Sequence, residues 1–510
     1  MSACSSTRGD SAWAPGGAGA AEGAAGTYDV VIVGCGVAGL YAAINLPRGL
    51  SVAMLSKASL EECDSMLAQG DICVLRDAED YRPYFRDTMR AGHWENRRCS
   101  VDAMIRTSRA VIDELVGFGV EFEREVDGSL AYTREGAHSA PRICCHADVT
   151  GREITTKLLA RVRGLENVTL LENVEMTDIL EGGEGNGRRC AGVVCRRTRR
   201  VGDGDEGPVG ATGEAFELRA GAVVWATGGI GGTYERSTNY RCLTGDACRI
   251  ALEHGIELEH MDYVQIHPTG LWSKRPGRTF LISESCRGEG AVLLNAAGER
   301  FVDELLPRDV VAEAIEGQMR LDGTEHEWLS FAPIEPGVVR THFAHIYERC
   351  LEEGYDILRE PIPVVPTQHY FMGGVRVDTE RSATTLAGLY AVGETSCNGV
   401  HGHNRLASNS LLEGLVFARR ATSHADSGTR PTAWAARSQR TPRLRPTWMQ
   451  RTSPTSSPAS ASRRPARARR TPRRRRAARR PAVARRSFAP RAGSAGVAGP
   501  RRRPHQRQGP

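Results

Sequence analysis

The chain has 510 residues, 40% of them hydrophobic, enough for two or three domains with buried cores at roughly 100–200 residues each. Its net charge of +6 comes from the C-terminal end, where residues 421–510 hold 24 arginines, no lysine and one acid (Asp426); residues 1–420 stand near −17, which excludes a basic nucleic-acid surface on the folded body. The 14 cysteines form no CxxC pair, and without a secretory segment or an apolar run of about 20 residues they argue against a disulfide framework or a membrane span and for a cytoplasmic protein.

Residues 1–26 are rich in Ala, Gly and Ser and read as a disordered N-terminal segment. Residues 28–33 (YDVVIV) are a β-branched run bounded by glycine, the pattern of a buried parallel strand. Gly34-x-Gly36-x-x-Gly39 follows at once, and residues 37–46 continue as a helix. Between strand and helix these glycines are a dinucleotide fingerprint, permitting a tight turn and the approach of a pyrophosphate to a helix N-terminus. The second strand, 51–55, ends in Ser56-Lys57 and not in the acid that nicotinamide folds place on the ribose, leaving these two for ribose or phosphates. Residues 64–70 (DSMLAQG) read as a polar loop, and residues 100–119 as a helix packing on the core.

The stretch 133–151 crowds Arg134, Glu135, His138, Arg142, His146 and Asp148 with little periodicity, so from the residues alone it is either a solvated loop or a functional segment. A helix (154–162), a strand (168–171) and a β-rich region (174–218) interrupted by a Gly/Asp-rich hairpin at 201–213 follow. Residues 222–226 (AVVWA) with Thr227-Gly228-Gly229 return to the nucleotide sheet with a second Gly-rich turn, as a flavin or two-dinucleotide domain does. Thr244-Gly245-Asp246 opens a helix to about residue 254, with Asp246 as its N-cap.

From residue 264 polar density rises again, first in QIHPTG (His267, Thr269), then in SESCRGEG (Ser283, Glu284, Arg287), and later at His369. Two histidines about a hundred residues apart, with Arg287 and Arg405, form a cationic set suited to a dicarboxylate, because arginine offers planar paired donors to each carboxylate. Residues 389–416 run from an apolar strand through Gly393, Gly399 and Gly402 into an amphipathic helix. Glu394 and Ser410 could hold a cofactor there, Arg405 a substrate anion, and Asn409 and Ser410 could cap the helix; a strand–loop–helix with solvated charges is the alternative. Beyond residue 420 the branched aliphatics shrink to Leu444, Val483 and Val497. This Arg/Pro-rich low-complexity tail, 421–510, cannot bury enough apolar surface to offset its ordering entropy. It is either a genuine disordered basic tail or a frameshifted reading of a GC-rich gene.

Together VQIHPTG, SESCRGEGAVLLN, PTQHYFMGGVRVD, GLYAVGET and HGHNRLASNSLLEGL resemble the flavoproteins of the fumarate reductase, succinate dehydrogenase and L-aspartate oxidase family, in the family's order over about residues 28–418. The resemblance implies an α/β protein: a Rossmann-like FAD-binding domain from 27–263 and 374–420, with an inserted α+β capping domain, 264–373, over the substrate. It places Gly34, Cys35, Gly36, Val37, Ala38 and Gly39 around the flavin pyrophosphate. Ser56, Lys57, Asp64, Ser65, Ala68, Gln69 and Gly70 continue the cofactor site, and Asp246, Glu394, Ser410 and Leu411 complete it. On the substrate side it implies His267, Thr269, Ser283, Glu284, His369 and Arg405, with Arg287 for electrostatic support and proton handling. Respiratory members carry their covalent flavin on a histidine four residues before the alanine of AQG; Asp64 stands there, so the FAD is expected to be non-covalent. The segment TREGAHSAPRICCHADVTG resembles the aspartate-oxidising branch, whose substrate-side glutamate falls on Glu135. Asp71 follows AQG where the family usually has glycine, which would put a charge near the flavin.

The function so implied is oxidation of L-aspartate to iminoaspartate with O2 or fumarate as acceptor, the first step of de novo NAD synthesis, with quinolinate synthase as downstream partner. The alternatives are a soluble fumarate reductase using the same clamp in reverse, and an inactive truncated member that lacks a C-terminal helical domain and binds polyanions through its arginines.

Overall fold

The computed structural model describes residues 26–183, 187–201, 209–274 and 277–423. The expected N-terminal segment up to residue 25, the tip of the 201–213 hairpin and the tail beyond 423 lie outside these residues.

Strand β1 (Gly26–Val33) is central, its last four side chains fully inside, and α1 (Val37–Asn45) leads back to β2 (Val52–Leu55), parallel to it. A short helix, α2 (Asp64–Leu67), occupies what reads in the sequence as loop, and β3 (Ile72–Cys73) follows. Helices α3 (Tyr81–Ala91) and α4 (Arg98–Gly117) then pack on the core before β4 (Ile143–Cys144) pairs with β3. After α5 (Thr150–Arg163) the chain adds β5 (Val168–Leu171), β6 (Val174–Gly182), β7 (Arg189–Arg200) and β8 (Val209–Trp225).

The expected separate strand at 222–226 is thus the end of a 17-residue strand. The first part of β8 runs antiparallel to β7, while its last residues lie parallel to β1 and to β15 (Leu389–Ala391). Helix α6 (Asp246–Glu253) follows with Gly245, φ +72°, as its N-cap. Asp246 is therefore not the cap expected from the sequence: it is the first helical residue, and its carboxylate accepts from Lys57 instead.

A second sheet, in the order β10-β13-β12-β11, holds β10 (Val264–Leu271), β11 (Val292–Leu294), β12 (Glu327–Ser330) and β13 (Ile362–Phe371). It carries α7 (Glu284–Gly288), α8 (Arg308–Asp322), α9 (Pro336–His342) and α10 (Ala344–Glu352) around a core of its own, including Leu293, Ile315, Phe331 and Val364. A small three-stranded sheet joins β9 (Leu258–Glu259), β14 (Gly374–Arg376) and β16 (Ser396–Cys397).

Strand β15 (Leu389–Ala391) returns to β8, and α11 (Asn409–Thr422) packs against α1 and α4. That helix is buried on nearly every face and is not the amphipathic helix the sequence suggests. Even Glu413 is inside; burial pushes its carboxyl up to about 8, and it accepts from Asn398. Nor do Asn409 and Ser410 cap it: Ser408, φ +61°, holds the cap position, Asn409 accepts from the Tyr84 hydroxyl, and Ser410 accepts from Arg405.

One feature of register decides where a ligand can bind. Val33 pairs with Leu55 and Trp225, and Trp225 with Ala391, so the carboxyl ends of four parallel strands finish level. In open α/β sheets that edge is where ligands sit.

Candidate active site

The four strand ends open onto a cavity of about 590 Å³, within the range of small-molecule sites. A Cβ on Gly34 (φ +110°) would lie 2.0 Å from the Ala226 carbonyl oxygen, and one on Gly39 2.1 Å from that of Gly34, so both positions admit only glycine. Gly39 serves this close packing and does not line the cavity; Gly34, Cys35, Gly36, Val37 and Ala38 do. No side chain caps α1 at Gly36, although Ser65 Oγ takes the Val37 N–H at 3.1 Å. A helix N-terminus presented in this way is a seat for phosphate.

On one side, Lys57 Nζ lies 2.7 Å from Asp246 and 3.7 Å from Glu175, with Ser56 beside it. Glu175, on β6, lines the cavity beside Lys57. On the other side stand Asp64, Ala68, Gln69, Gly70, Glu394 and Leu411. Asp64 Oδ1 accepts from the Tyr240 N–H at 2.9 Å, and burial pushes its carboxyl up to about 7. Glu394 accepts from the Phe371 N–H at 2.9 Å and is pushed up to about 8, by burial and then by Asp64. Gln69 Oε1 is buried without a partner. The uncapped N-terminus of α1, then an orphaned acceptor and two buried carboxyls that burial makes less acidic, fit a group shaped like FAD.

The far end of the cavity lies between the two larger sheets. Arg405 and Arg308 both reach it, as do His267, His369, Ser283, Glu284 and Glu135. Arg308 donates to Glu284 and, at 2.9 Å, to Gln265 Oε1; Arg405 Nε donates to the same oxygen at 3.3 Å and Nη1 to Ser410 at 2.7 Å. The Thr269 N–H donates to His267 Nδ1 at 3.2 Å. A neutral imidazole accepting at Nδ1 carries its proton on Nε2, and Nε2 is the atom left buried without a partner. Burial and then Arg308 hold both His267 and His369 well below the usual imidazole range. Both histidines are therefore neutral, His267 carrying its N–H on Nε2, and the positive charge expected of the whole set resides on the arginines.

Glu135 accepts from the hydroxyls of Ser408 and Ser285. Burial and then Glu284 raise its pKa, whereas the adjacent Arg308 and Arg287 outweigh burial at Glu284 and lower that one. Asp71 also borders the cavity, its Oδ1 accepting from Thr150 Oγ1 at 2.7 Å, and burial followed by Glu135 raises it well above the carboxylate range.

Besides Gly39, two expected site residues stand back from the cavity. Arg287 is fully buried behind Glu284, 3.7 Å from its carboxylate, and donates to the Glu304 carbonyl at 2.6 Å. Thr269 supports the His267 ring and donates to the Ile282 carbonyl at 2.9 Å. Of the six polar residues crowded into 133–151, only Glu135 and Asp148 line the cavity. Arg142 and His138 are buried elsewhere, Arg142 paired with Asp80 and Asp87. Sequence reasoning missed Arg308 and Gln265. The available signal for Arg308 was its place straight after Pro307 at a helix start.

A family model described as an FAD binding domain matches residues 29–411. An L-aspartate oxidase from Clostridium perfringens is 46% identical over 393 residues, covering 77% of this chain and 85% of that protein. Another from Clostridium acetobutylicum is 43% identical over 77% of this chain and 86% of its own length. Among solved structures, E. coli quinol fumarate reductase superposes with a TM-score of 0.71 at 30% identity, covering 81% of this chain and 74% of that one.

Proposed function

Because the chain belongs to the L-aspartate oxidases, FAD-dependent oxidoreductases of the fumarate reductase and succinate dehydrogenase flavoprotein family, we propose that the far end of the cavity is where L-aspartate is oxidised to iminoaspartate. The observation that supports this placement is the pair of buried arginines, Arg308 and Arg405, facing Glu135 across one cavity that continues to the cofactor side. Two guanidinium groups suit the two carboxylates of the substrate, and a carboxylate suits its ammonium.

Bound FAD supplies the two-electron acceptor for the hydride that leaves Cα. Arg405 and Arg308 hold the substrate carboxylates, while His267 Nε2 and the His369 ring add neutral donors. Glu135 receives the ammonium and, at its carboxylate oxygens, the proton that must leave nitrogen as the imine forms. Arg308, Arg405, His267 and Glu135 are all buried, so these groups act with little solvent screening on a substrate held in reacting orientation.

The cofactor contacts read from the sequence belong to this proposal, as does the division into an FAD-binding part, 27–263 and 374–420, and a capping part, 264–373. The proposal extends to O2 or fumarate as acceptor, to a place at the start of de novo NAD synthesis in the cytoplasm, and to quinolinate synthase as consumer of the product. Among the described residues no helix is long and apolar enough to cross a membrane.

Asp64, where respiratory relatives carry the linking histidine, offers no ring nitrogen. Acid precipitation of the yellow protein is therefore expected to release all flavin to the supernatant; flavin fluorescing with the protein on a denaturing gel would refute the assignment. Anaerobic reduction of the bound flavin by L-aspartate, with succinate as the discriminating control, tests the reading as a whole.

A further inference from the structure

Gln265 stands between the two cavity arginines, and the direction of its side-chain amide decides whether it attracts or repels them. Oε1 accepts from Arg308 Nη1 at 2.9 Å and Arg405 Nε at 3.3 Å, while Nε2 donates to Asn404 Oδ1 at 2.7 Å and to the Arg405 carbonyl at 2.8 Å. Turned over, the amide would set its N–H groups against two guanidiniums, which are donors only. Asn404 is in turn held one way round, because its Nδ2 donates at 3.0 Å to Asp309 Oδ1. Asp309 Oδ2 lies 2.8 Å from His93 Nε2.

Both ends of this row require the same direction of every bond: the guanidiniums and the Arg405 carbonyl fix Gln265 from within, and Asp309 fixes Asn404 from outside. An ionised carboxylate only accepts, so Asn404 must turn its NH2 to Asp309 and its oxygen to Gln265. Gln265 must then turn its NH2 to Asn404 and its oxygen to the arginines. Gln265 and Asn404 are 2% and 4% exposed, so no water is at hand to satisfy a reversed amide. His93 and Asp309, by contrast, are a third or more exposed. Each end of the row is also joined to the site by the chain itself, Asp309 following Arg308 and Asn404 preceding Arg405.

We propose that Asp309 is a positioning residue that sets the polarity of an Asp309–Asn404–Gln265 amide relay, and through it the orientation of Arg308 and Arg405 toward a dicarboxylate. His93 anchors the outer end. His403, stacked on the His93 ring at 5.3 Å, with Tyr263 and Glu95 beside it, completes the surroundings of that end. The inference rests on the proposed dicarboxylate site.

Asp309→Asn tests it in the FAD-loaded protein, since asparagine keeps the shape and loses the negative charge and the acceptor-only character. Succinate affinity, read from the change it causes in the visible absorbance of bound FAD, is expected to weaken about tenfold, or 1.4 kcal/mol. The kcat/KM for L-aspartate falls by a similar factor, with flavin content and Tm unchanged. In a Gln265→Glu background, position 265 offers oxygens in both directions and Asn404 must turn its NH2 inward; there Asp309→Asn is expected to cost less or to restore affinity. A residue that merely braced α8 would give equal losses in both backgrounds. Equal losses, or unchanged succinate affinity in Asp309→Asn, would overturn the relay. Because succinate binding is read without turnover, a wild-type protein unable to oxidise aspartate would sink the proposed function and leave this test standing.

Discussion

Arg308→Leu is expected to lower L-aspartate oxidation by two to three decades while the protein keeps its FAD. The guanidinium is 6% exposed, is paired with Glu284, and shares Gln265 with Arg405. Truncating one partner of a buried, hydrogen-bonded charge pair at a binding contact, here Arg308 against a substrate carboxylate, costs about 2–5 kcal/mol; at 1.4 kcal/mol per decade that is about one and a half to three and a half decades. The loss falls on the site and not on the cofactor, whose contacts gather at the strand ends. Arg308→Lys keeps the charge but not the paired donors, and is expected to recover only part of the rate. Arg287→Leu is the informative comparison, since Arg287 stands behind Glu284 and does not reach the cavity. Steady-state rates with flavin content measured on each variant decide the matter. An Arg308→Leu enzyme within tenfold of wild type would remove Arg308 from the clamp.

Glu135→Gln is expected to separate two reactions that share one cavity. Succinate and L-aspartate differ by an ammonium group, and arginines with neutral histidines would bind both while repelling that ammonium. Selection of aspartate needs an acceptor-only group near Cα, and Glu135 is a carboxylate at that end of the cavity, held in place by the hydroxyls of Ser408 and Ser285. A charge-assisted hydrogen bond contributes roughly 1.5–3 kcal/mol, about one to two decades. Aspartate oxidation should fall by that much, whereas fumarate reduction with a chemical donor, which has no ammonium to satisfy, should survive or improve. Equal losses in both would mean that Glu135 supports the fold or the flavin.

The cofactor half was legible in the sequence because its chemistry is local. Residues 28–39 hold strand, glycine turn and helix start in one run, and the level finish of β1, β2, β8 and β15 turns that run into a ligand edge. The substrate half was legible in part: the histidines with Arg405 read as a dicarboxylate set from the residues, whereas Glu135 came only through the resemblance. Nothing near Gln265 in sequence predicts its bonds to Arg308 and Arg405, 43 and 140 residues away. Glu175 likewise reaches Lys57 from another strand. Burial was the second blind spot. The 133–151 segment has the composition of a solvated loop, yet Glu135, His138, Arg142 and Asp148 are all buried, each paired across the chain. Burial also changed the chemistry: it keeps His267 and His369 neutral, where the sequence suggested two further cations.

The most direct measurement is the anaerobic reaction of the FAD-loaded protein with a modest excess of L-aspartate, followed by the visible absorbance of the flavin, with succinate in a parallel cell. The account predicts that aspartate bleaches the flavin fully and that fumarate then restores the colour and appears as succinate. Succinate at the same concentration should bleach it at least tenfold more slowly. Rapid bleaching by succinate with none by aspartate would contradict it, and would assign the two arginines and Glu135 to a fumarate-reducing site.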